Sequence, residues 1–226
     1  MIDPNYILRH NRNEARASSL IFSAIRAEIL SYPSINPSAL QRALESFYFI
    51  ILSSEYETVW DLYLEPILGR QANEEEKAMW AMIIRNYLLG YSANRIAEIA
   101  TSITSLMNKP EILAQEERKA RVRLALDEML PKANSYARTD TTRAMMLVKL
   151  AVLSTSPFPW EKKWVANRDE RTREAHRIAG EGKFISVSDF FLVGGETLLF
   201  PADDQNGATL GNVINCRCGL DFRIRR

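Results

Sequence analysis

The sequence contains little cysteine and histidine and no long apolar run. Two cysteines and two histidines occur among 226 residues. Cys216 and Cys218 are separated by one residue, a spacing that does not easily close on itself and does not indicate a disulfide framework. No apolar run reaches the roughly 18 residues that a membrane span requires, and the N-terminus lacks the basic-then-apolar order of a secretion signal. We therefore expect a protein that works in a reducing cytoplasm, without a membrane partner.

The chain also lacks an excess of either charge. The formal net charge is +1, which gives no field strong enough to predict binding of nucleic acid by the whole chain. The residues are 46% hydrophobic and 25% charged, so a sizeable core is expected and global disorder is not. The basic C-terminal tip, Arg223 to Arg226, is most simply a solvated end.

Apolar residues recur at helical spacing through the first two thirds of the chain. The pattern predicts an irregular lead-in over residues 1–11, followed by five helices with short connections: 13–30, 36–63, 73–106, 111–130 and 134–153. Asn36 and Asn73 are the expected caps, Gly90 is a candidate interruption, and Pro131 is the expected end of the fourth helix. We expect a helical bundle or an elongated helical array.

The sequence pattern changes after Pro157 and Pro159. The remainder predicts a strand at 162–166, a short helix at 168–179 ended by Gly180, a strand at 183–187, a hairpin around Gly194 and Gly195, and a last strand at 213–224. The predicted fold class is therefore α+β: a mainly α-helical N-terminal region followed by a small C-terminal α+β domain. We divide the chain into a helical region (1–110), linking helices (111–153) and a small module (154–226).

The candidate site residues are concentrated in the module. If residues 168–179 are helical, Asp169, Arg173 and His176 share one face. If Cys216 and Cys218 lie in a strand, their side chains point the same way. The predicted elements can therefore bring these five residues together.

Four interpretations of this cluster remain open from the residues alone. A structural zinc site would use His176, Cys216 and Cys218, with Asp169 or Asp203 as a further ligand. A Cys–His nucleophile would use His176 as its base. A nuclease-like or transferase-like site would use His176, Arg173 and an acid. In the fourth, purely structural interpretation, which we favour, Asp169 caps the helix, Arg171 and Arg173 pair with acids, His176 bonds a loop carbonyl, and the cysteines are buried as small apolar residues.

The order of these residues resembles the C-terminal domain of phage Mu F-like minor head proteins. The pattern is W-x-x-x-x-D-x-R-T-R-x-x-H-x-x-x-G, then P-x-D, then N-C-R-C, and it consists here of Trp164, Asp169, Arg171, Thr172, Arg173, His176, Gly180, Pro201, Asp203, Asn215, Cys216, Arg217 and Cys218. The upstream segment A-R-T-D-T-T-R-A (residues 137–144) is similar to the lead-in helix of that family. One departure is Ala202, where the family usually has glycine, so the loop from Asp203 to Gly207 is expected to differ in shape.

The resemblance implies a structural, non-enzymatic minor head protein of a tailed phage or prophage, acting in head morphogenesis. Its expected partners are the portal protein and the major capsid protein, with packaged DNA as a further candidate contact. Its expected place is the virion, at the portal vertex or head interior, in several copies, after assembly in the host cytoplasm. The helical region is then the expected docking surface. The alternative is a phage-encoded enzyme, metal-dependent or based on arginine and histidine, delivered with the genome.

Overall fold

The fold is known from a computed structural model, which describes residues 5–32, 34, 36–107, 115–167 and 169–225. The helices are α1 (Tyr6–Ser31), α2 (Pro37–Val59), a π-helical turn (Trp60–Leu64), α3 (Glu65–Leu68), α4 (Glu74–Met107), α5 (Gln115–Ser154), α6 (Glu174–Glu181) and α7 (Leu210–Val213). The strands are β1 (Trp160–Val165), β2 (Ile185–Ser186), β3 (Phe191–Val193), β4 (Glu196–Leu198) and β5 (Gly219–Ile224). The predicted α+β class is confirmed. The predicted helix starts at Glu111 and Arg168 lie outside the described residues.

Local capping and turn residues act as predicted at several element ends. The Asn36 side chain accepts a hydrogen bond from Ser38 N at 3.1 Å. Asn73 and Glu76 form a reciprocal capping box at the start of α4, with both bonds at 2.9 Å. Gly69 follows α3 in the left-handed conformation, which glycine adopts with little steric cost because it has no side chain. These interactions are local, which is why the sequence alone predicts them.

The predicted helix boundaries are wrong at Pro131 and at the N-terminus. Pro131 lies inside α5, which is 40 residues long and continues to Ser154. A proline inside a helix removes one hydrogen bond and costs about 3 kcal/mol. Its ring faces solvent, while Met129 and Ala133 on either side are fully buried, so packing offsets the loss. The predicted lead-in is helical from Tyr6 onward because Tyr6 and His10 dock on the rest of the protein. Gly90 does not interrupt α4.

Helix α5 is the central element of the protein. Every residue from 139 to 153 is buried, and α1, α2 and α4 all pack against α5. A helix that is surrounded on all sides loses the one-sided apolar pattern of a surface helix. The buried stretch therefore includes charged side chains, among them Asp140, Arg143 and Lys149.

The strands form two small antiparallel sheets beside the helices. The order in the first is β2-β1-β5, and the second is the hairpin of β3 and β4. Gly194 and Gly195 both have positive φ angles, 59° and 85°, which is the backbone that a tight hairpin turn requires. Tyr63 from the π-helical turn makes edge contacts with Trp160 and Phe222 of the first sheet. The π-helical turn therefore carries an aromatic contact between the helices and the sheet. No described helix has both the length and the apolarity to span a bilayer.

Candidate functional site

The two cysteines and His176 converge, although not by the predicted geometry. Cys216 and Cys218 precede β5 instead of lying within it, in a segment, Ile214–Cys218, that we call the cysteine segment. The His176 Nδ1 atom lies 3.6 Å from Cys216 Sγ and 3.5 Å from Cys218 Sγ. All three side chains are between 1% and 3% exposed. The predicted last strand, 213–224, is thus too long, because Asn215 adopts a left-handed backbone conformation with φ of 56° that ends regular structure there.

Asp169 lies apart from this cluster. Helix α6 begins only at Glu174, so Asp169 precedes it and neither caps the helix nor shares a helical face with His176. The Asp169 Oδ1 atom accepts hydrogen bonds from Arg171 N at 3.1 Å and from Thr172 Oγ1 at 3.0 Å, closing a tight turn. Its Oδ2 atom pairs with Arg217 from the cysteine segment. Burial raises the pKa of Asp169, but the bonds from Arg217 and Thr172 outweigh it and the pKa is lowered.

Arg173 bonds a backbone carbonyl and Arg171 lies beside the turn at Asp169, so the two motif arginines do not act together at His176. Arg173 Nη2 donates to the Ile214 carbonyl at 2.6 Å. Arg171 is exposed and lies 3.7 Å from Asp169. Therefore the prediction that Arg173 pairs with an acid is wrong, and so is the prediction that His176 bonds a loop carbonyl. Arg173 bonds the cysteine segment at Ile214, and Asp169 bonds it at Arg217. These two contacts hold the segment so that both sulfur atoms face His176.

Gly180 has a packing function instead of the predicted helix-ending one. Helix α6 continues past Gly180 and ends at Gly182. A Cβ atom on Gly180 would lie 2.9 Å from Ala166 Cβ, too close for two carbon atoms. The glycine four residues after His176 therefore allows α6 to approach the chain just after β1, which carries Trp164.

The cysteine segment is also held by the helical region, which the sequence analysis did not predict. Three alternate carbonyls accept side-chain hydrogen bonds: Ile214 O from Arg173, Cys216 O from Thr142 Oγ1 at 2.5 Å, and Cys218 O from Tyr6 OH at 3.0 Å. The Asn215 amide donates to Thr139 Oγ1 at 2.9 Å. These bonds join α1 and α5 to the module. Their partners are 74 to 212 residues apart in the chain, so no local pattern could have indicated them.

Gly219, next to Cys218, completes this contact. A Cβ atom on Gly219 would lie 3.1 Å from the Tyr6 ring. The ring therefore packs directly on the backbone at the start of β5, and the Lys149 ammonium lies over it at 4.8 Å from the ring centroid. The residue after the second cysteine is small because α1 docks there.

The cysteine sulfurs lie in an environment that favours negative charge. The hydrogen bond from Cys216 lowers the pKa of Cys218 to about 5, with a further contribution from His176, while burial opposes it. The same hydrogen bond and burial raise the pKa of Cys216 well above its usual range. The interaction between the two side chains therefore favours the thiolate form of Cys218 over that of Cys216.

Trp164 closes the site on the side of β1. Its side chain is fully buried, and its ring lies edge-on to His176 with a centroid distance of 5.4 Å and to Phe191 at the same distance. Among the described residues, His176 Nε2 and Trp164 Nε1 are buried without a hydrogen-bond partner. The outer side of Trp164 borders a surface cleft of about 1210 Å³, which Asp169, Arg171 and Arg177 also line. None of the cleft's described lining residues is a member of the His176, Cys216 and Cys218 cluster.

Asp203 has a separate role in the loop that follows β4. Its buried carboxylate accepts hydrogen bonds from Leu199 N at 2.8 Å, Gln205 N at 3.1 Å and Asn206 Nδ2 at 3.0 Å. It does not join the described cluster of potential metal ligands. Asp203 therefore closes its own loop, and the predicted use of Asp169 or Asp203 as a zinc ligand is not supported by their positions.

Ala202 occupies a position that favours glycine. Its φ angle is 68° and its side chain is fully buried. We expect Ala202→Gly to change the free energy of unfolding by less than about 0.5 kcal/mol, because relief of the left-handed strain and loss of a buried methyl cancel. Ala202→Val should cost at least about 2 kcal/mol, since a branched side chain adds strain and overpacks the site. Urea unfolding of the two variants checks this; equal stabilities would contradict the strain argument.

His10 connects α1 to the cysteine segment through α5. The Thr142 hydroxyl donates to Cys216 O, so it accepts from His10 Nε2, which lies 2.8 Å away. His10 is 2% exposed. Burial lowers the pKa of His10 to about 4; Arg217 and Arg138 lower it further, while Glu14 raises it. His10 is therefore a neutral link in this chain of hydrogen bonds at physiological pH.

This link predicts an acid sensitivity. The folded-state pKa of His10 lies below its unfolded value of about 6.5, so its stabilising contribution is complete above pH 6.5 and is lost as pH falls toward 4. Between pH 7 and pH 4, the wild type should lose about 3 kcal/mol more stability than His10→Gln, which retains a donor but does not titrate. Urea unfolding across this pH range measures the difference. Parallel pH profiles for the two proteins would contradict the assignment.

Comparison with known proteins adds no assignment, because no protein family, curated protein or solved structure matches the chain.

Proposed function

We propose that this protein is a structural minor head protein of a tailed bacteriophage or prophage, acting in head morphogenesis at the portal vertex or the inner capsid. This proposal rests on the contacts that the motif residues make. Arg173, Asp169 and Arg217 hold the cysteine segment, and Thr142 and Tyr6 fasten the same segment to the helical region. The residues that resemble the Mu F-like pattern therefore form a joint, by which we mean the connection of the cysteine segment to helices α1 and α5.

The burial of the joint supports a structural role over a catalytic one. His176, Cys216 and Cys218 are each at most 3% exposed. A catalytic base must come within hydrogen-bond distance of a substrate proton, or reach it through one water. A substrate in the neighbouring cleft would contact Trp164 and Asp169 instead, because the three clustered residues do not line it.

The helical region supports docking on a portal or capsid protein. Its helices carry large apolar side chains that are more than half exposed: Leu8 on α1, Phe49 on α2 and Met82 on α4. Apolar anchors on helices are suited to grooves between the helices of a partner. We propose the portal protein as the first partner, with the major capsid protein and packaged DNA as further contacts and several copies in each virion.

Binding to the portal protein encoded in the same genome tests this proposal. Leu8→Glu, Phe49→Glu and Met82→Glu should be compared with Leu192→Glu, an equally exposed apolar position (72%) on the β3–β4 hairpin. If the helices dock, at least one helical variant should weaken binding at least about tenfold, as for a buried interface anchor, while Leu192→Glu should bind as the wild type does. Absence of any wild-type binding to portal and capsid proteins would contradict the proposal.

An enzyme acting on nucleic acid is the competing proposal, and the cleft beside Trp164 is the feature that favours it. Three cationic side chains suited to phosphate line this cleft, those of Lys163, Arg171 and Arg177, together with four carboxylates. A nuclease assay on the wild type and on Arg177→Ala, with and without divalent metal, distinguishes the two. Cleavage by the wild type that is lost in a folded Arg177→Ala protein would favour the enzyme; no cleavage under any condition favours the structural protein.

A further inference from the structure

We propose that His176 Nδ1, Cys216 Sγ and Cys218 Sγ bind a single zinc ion, which fastens the cysteine segment against α6. This inference stands independently of the proposed function. The three ligand atoms all lie within 4.8 Å of one another and belong to buried side chains. One imidazole and two thiolates form a donor set that zinc prefers in proteins.

The distances between the ligand atoms fit a tetrahedral ion. With a Zn–N bond of about 2.0 Å and Zn–S bonds of about 2.3 Å, tetrahedral angles separate the nitrogen from each sulfur by about 3.5 Å. The observed separations are 3.5 Å and 3.6 Å. The His176 ring therefore presents Nδ1 to both sulfurs at the spacing that a shared ion requires, and the two sulfurs lie within 4.8 Å of each other.

The surroundings of the sulfurs support a bound cation. The Cys216 and Cys218 carbonyls accept hydrogen bonds from Thr142 Oγ1 and Tyr6 OH, so the backbone that carries both sulfurs is held in place. Such bonds outside the ligand set orient the ligands of a metal ion. Zinc would neutralise both thiolates in a buried site, where an uncompensated charge is costly.

The described residues provide no fourth side-chain ligand. Asp169 pairs with Arg217, and Asp203 accepts three hydrogen bonds in its own loop. The fourth position is therefore left to a water molecule. Three protein ligands with one water are also the pattern of catalytic zinc, but the three ligands are at most 3% exposed and none of them is among the described residues that line the cleft.

The ion would stabilise more than the module. The same segment that carries both cysteine ligands is bonded to Thr142 of α5 and Tyr6 of α1 through the cysteine carbonyls. Zinc on the sulfur side and helices on the carbonyl side would thus fix opposite edges of one short backbone segment. Removal of the ion should loosen the contact between α1 and the module as well as α6.

Metal analysis of the full chain tests the proposal. Protein purified without chelators should carry one zinc ion per chain, and Cys216→Ser, Cys218→Ser and His176→Asn should each lose at least nine tenths of it. Asp169→Asn is the matched control, since Asp169 belongs to the same motif but is not a ligand, and it should retain the zinc. Chelation of the wild type should lower its melting temperature, while a titrated zinc supply should restore it.

A cobalt titration keeps the test decisive if a ligand variant fails to fold. Co²⁺ added to chelated wild type should give the intense visible bands of a tetrahedral ion and the near-ultraviolet charge transfer of thiolate ligands, saturating at one equivalent. Folded wild type with two reduced thiols that binds neither zinc nor cobalt would overturn the proposal. A disulfide between Cys216 and Cys218, detected as absent thiols after denaturation, would also overturn it.

Discussion

Replacing Asp140 with alanine is expected to lower the free energy of unfolding by about 3–5 kcal/mol. Asp140 is fully buried in the middle of α5. Its carboxylate lies 3.0 Å from Arg95 Nη2 of α4 and 3.7 Å from Arg143 Nη1 on the next turn. The loss follows because removing the carboxylate takes away a fully buried counter-charge of Arg95 and Arg143 and leaves them the more exposed carboxylates of Glu98 and Asp204.

The destabilisation caused by Asp140→Ala should extend to the loop after β4. Arg143 Nε donates to Ala202 O at 2.9 Å, and its Nη2 atom pairs with Asp204 at 2.8 Å. Arg143 thus connects Asp140 of the central helix to the loop that Asp203 closes. Asp127→Ala, at an exposed position on the same helix, is the control and should change stability by less than about 0.5 kcal/mol. A loss below about 1 kcal/mol in Asp140→Ala would mean that this charge is not a structural element.

The second large effect is expected at Trp164. Trp164→Ala should cost about 3–5 kcal/mol, since it removes a fully buried aromatic side chain and leaves a cavity. The ring contacts His176 on α6 and Phe191 on β3, so its loss also removes the support that orients the His176 imidazole. Thermal or urea unfolding measures the change.

Two controls separate the packing effect from the general cost of losing an aromatic residue. Trp164→Phe keeps part of the volume and should cost less than half as much as the alanine variant. Phe190→Ala removes a ring that is 49% exposed and should cost less than about 1 kcal/mol. Equal losses for Trp164→Ala and Phe190→Ala would contradict the description of Trp164 as a central packing residue.

The features that sequence reasoning predicts correctly are those that depend on neighbouring residues. The capping box of Asn73 and Glu76 and the hairpin at Gly194 and Gly195 require only a few consecutive residues. Pro131 shows the limit of such reasoning: its local preference ends a helix, but buried neighbours on both sides carry α5 through it. Tyr6 shows the same limit, because its partner, Cys218 O, is 212 residues away.

Three of the five residues expected in the candidate site come together, whereas Asp169 and Arg173 bond Arg217 and the Ile214 carbonyl instead. His176, Cys216 and Cys218 meet as expected, although neither a helical face shared with Asp169 nor a β-strand places them. Their convergence depends on the carbonyl contacts of the cysteine segment with Arg173 and Thr142. The T-D-T-T sequence, residues 139–142, was the available signal, since hydroxyl side chains in a fully buried helix need partners.

We propose that this chain is a structural part of a phage head. The most direct test of this proposal is quantitative mass spectrometry of purified particles produced from the genome that encodes it, with the portal protein as an internal reference. The account predicts that the protein is present in every preparation, in several copies per portal, and remains after particles are washed at high salt. Particles that lack the protein, while the lysate from which they were purified contains it, would contradict the account.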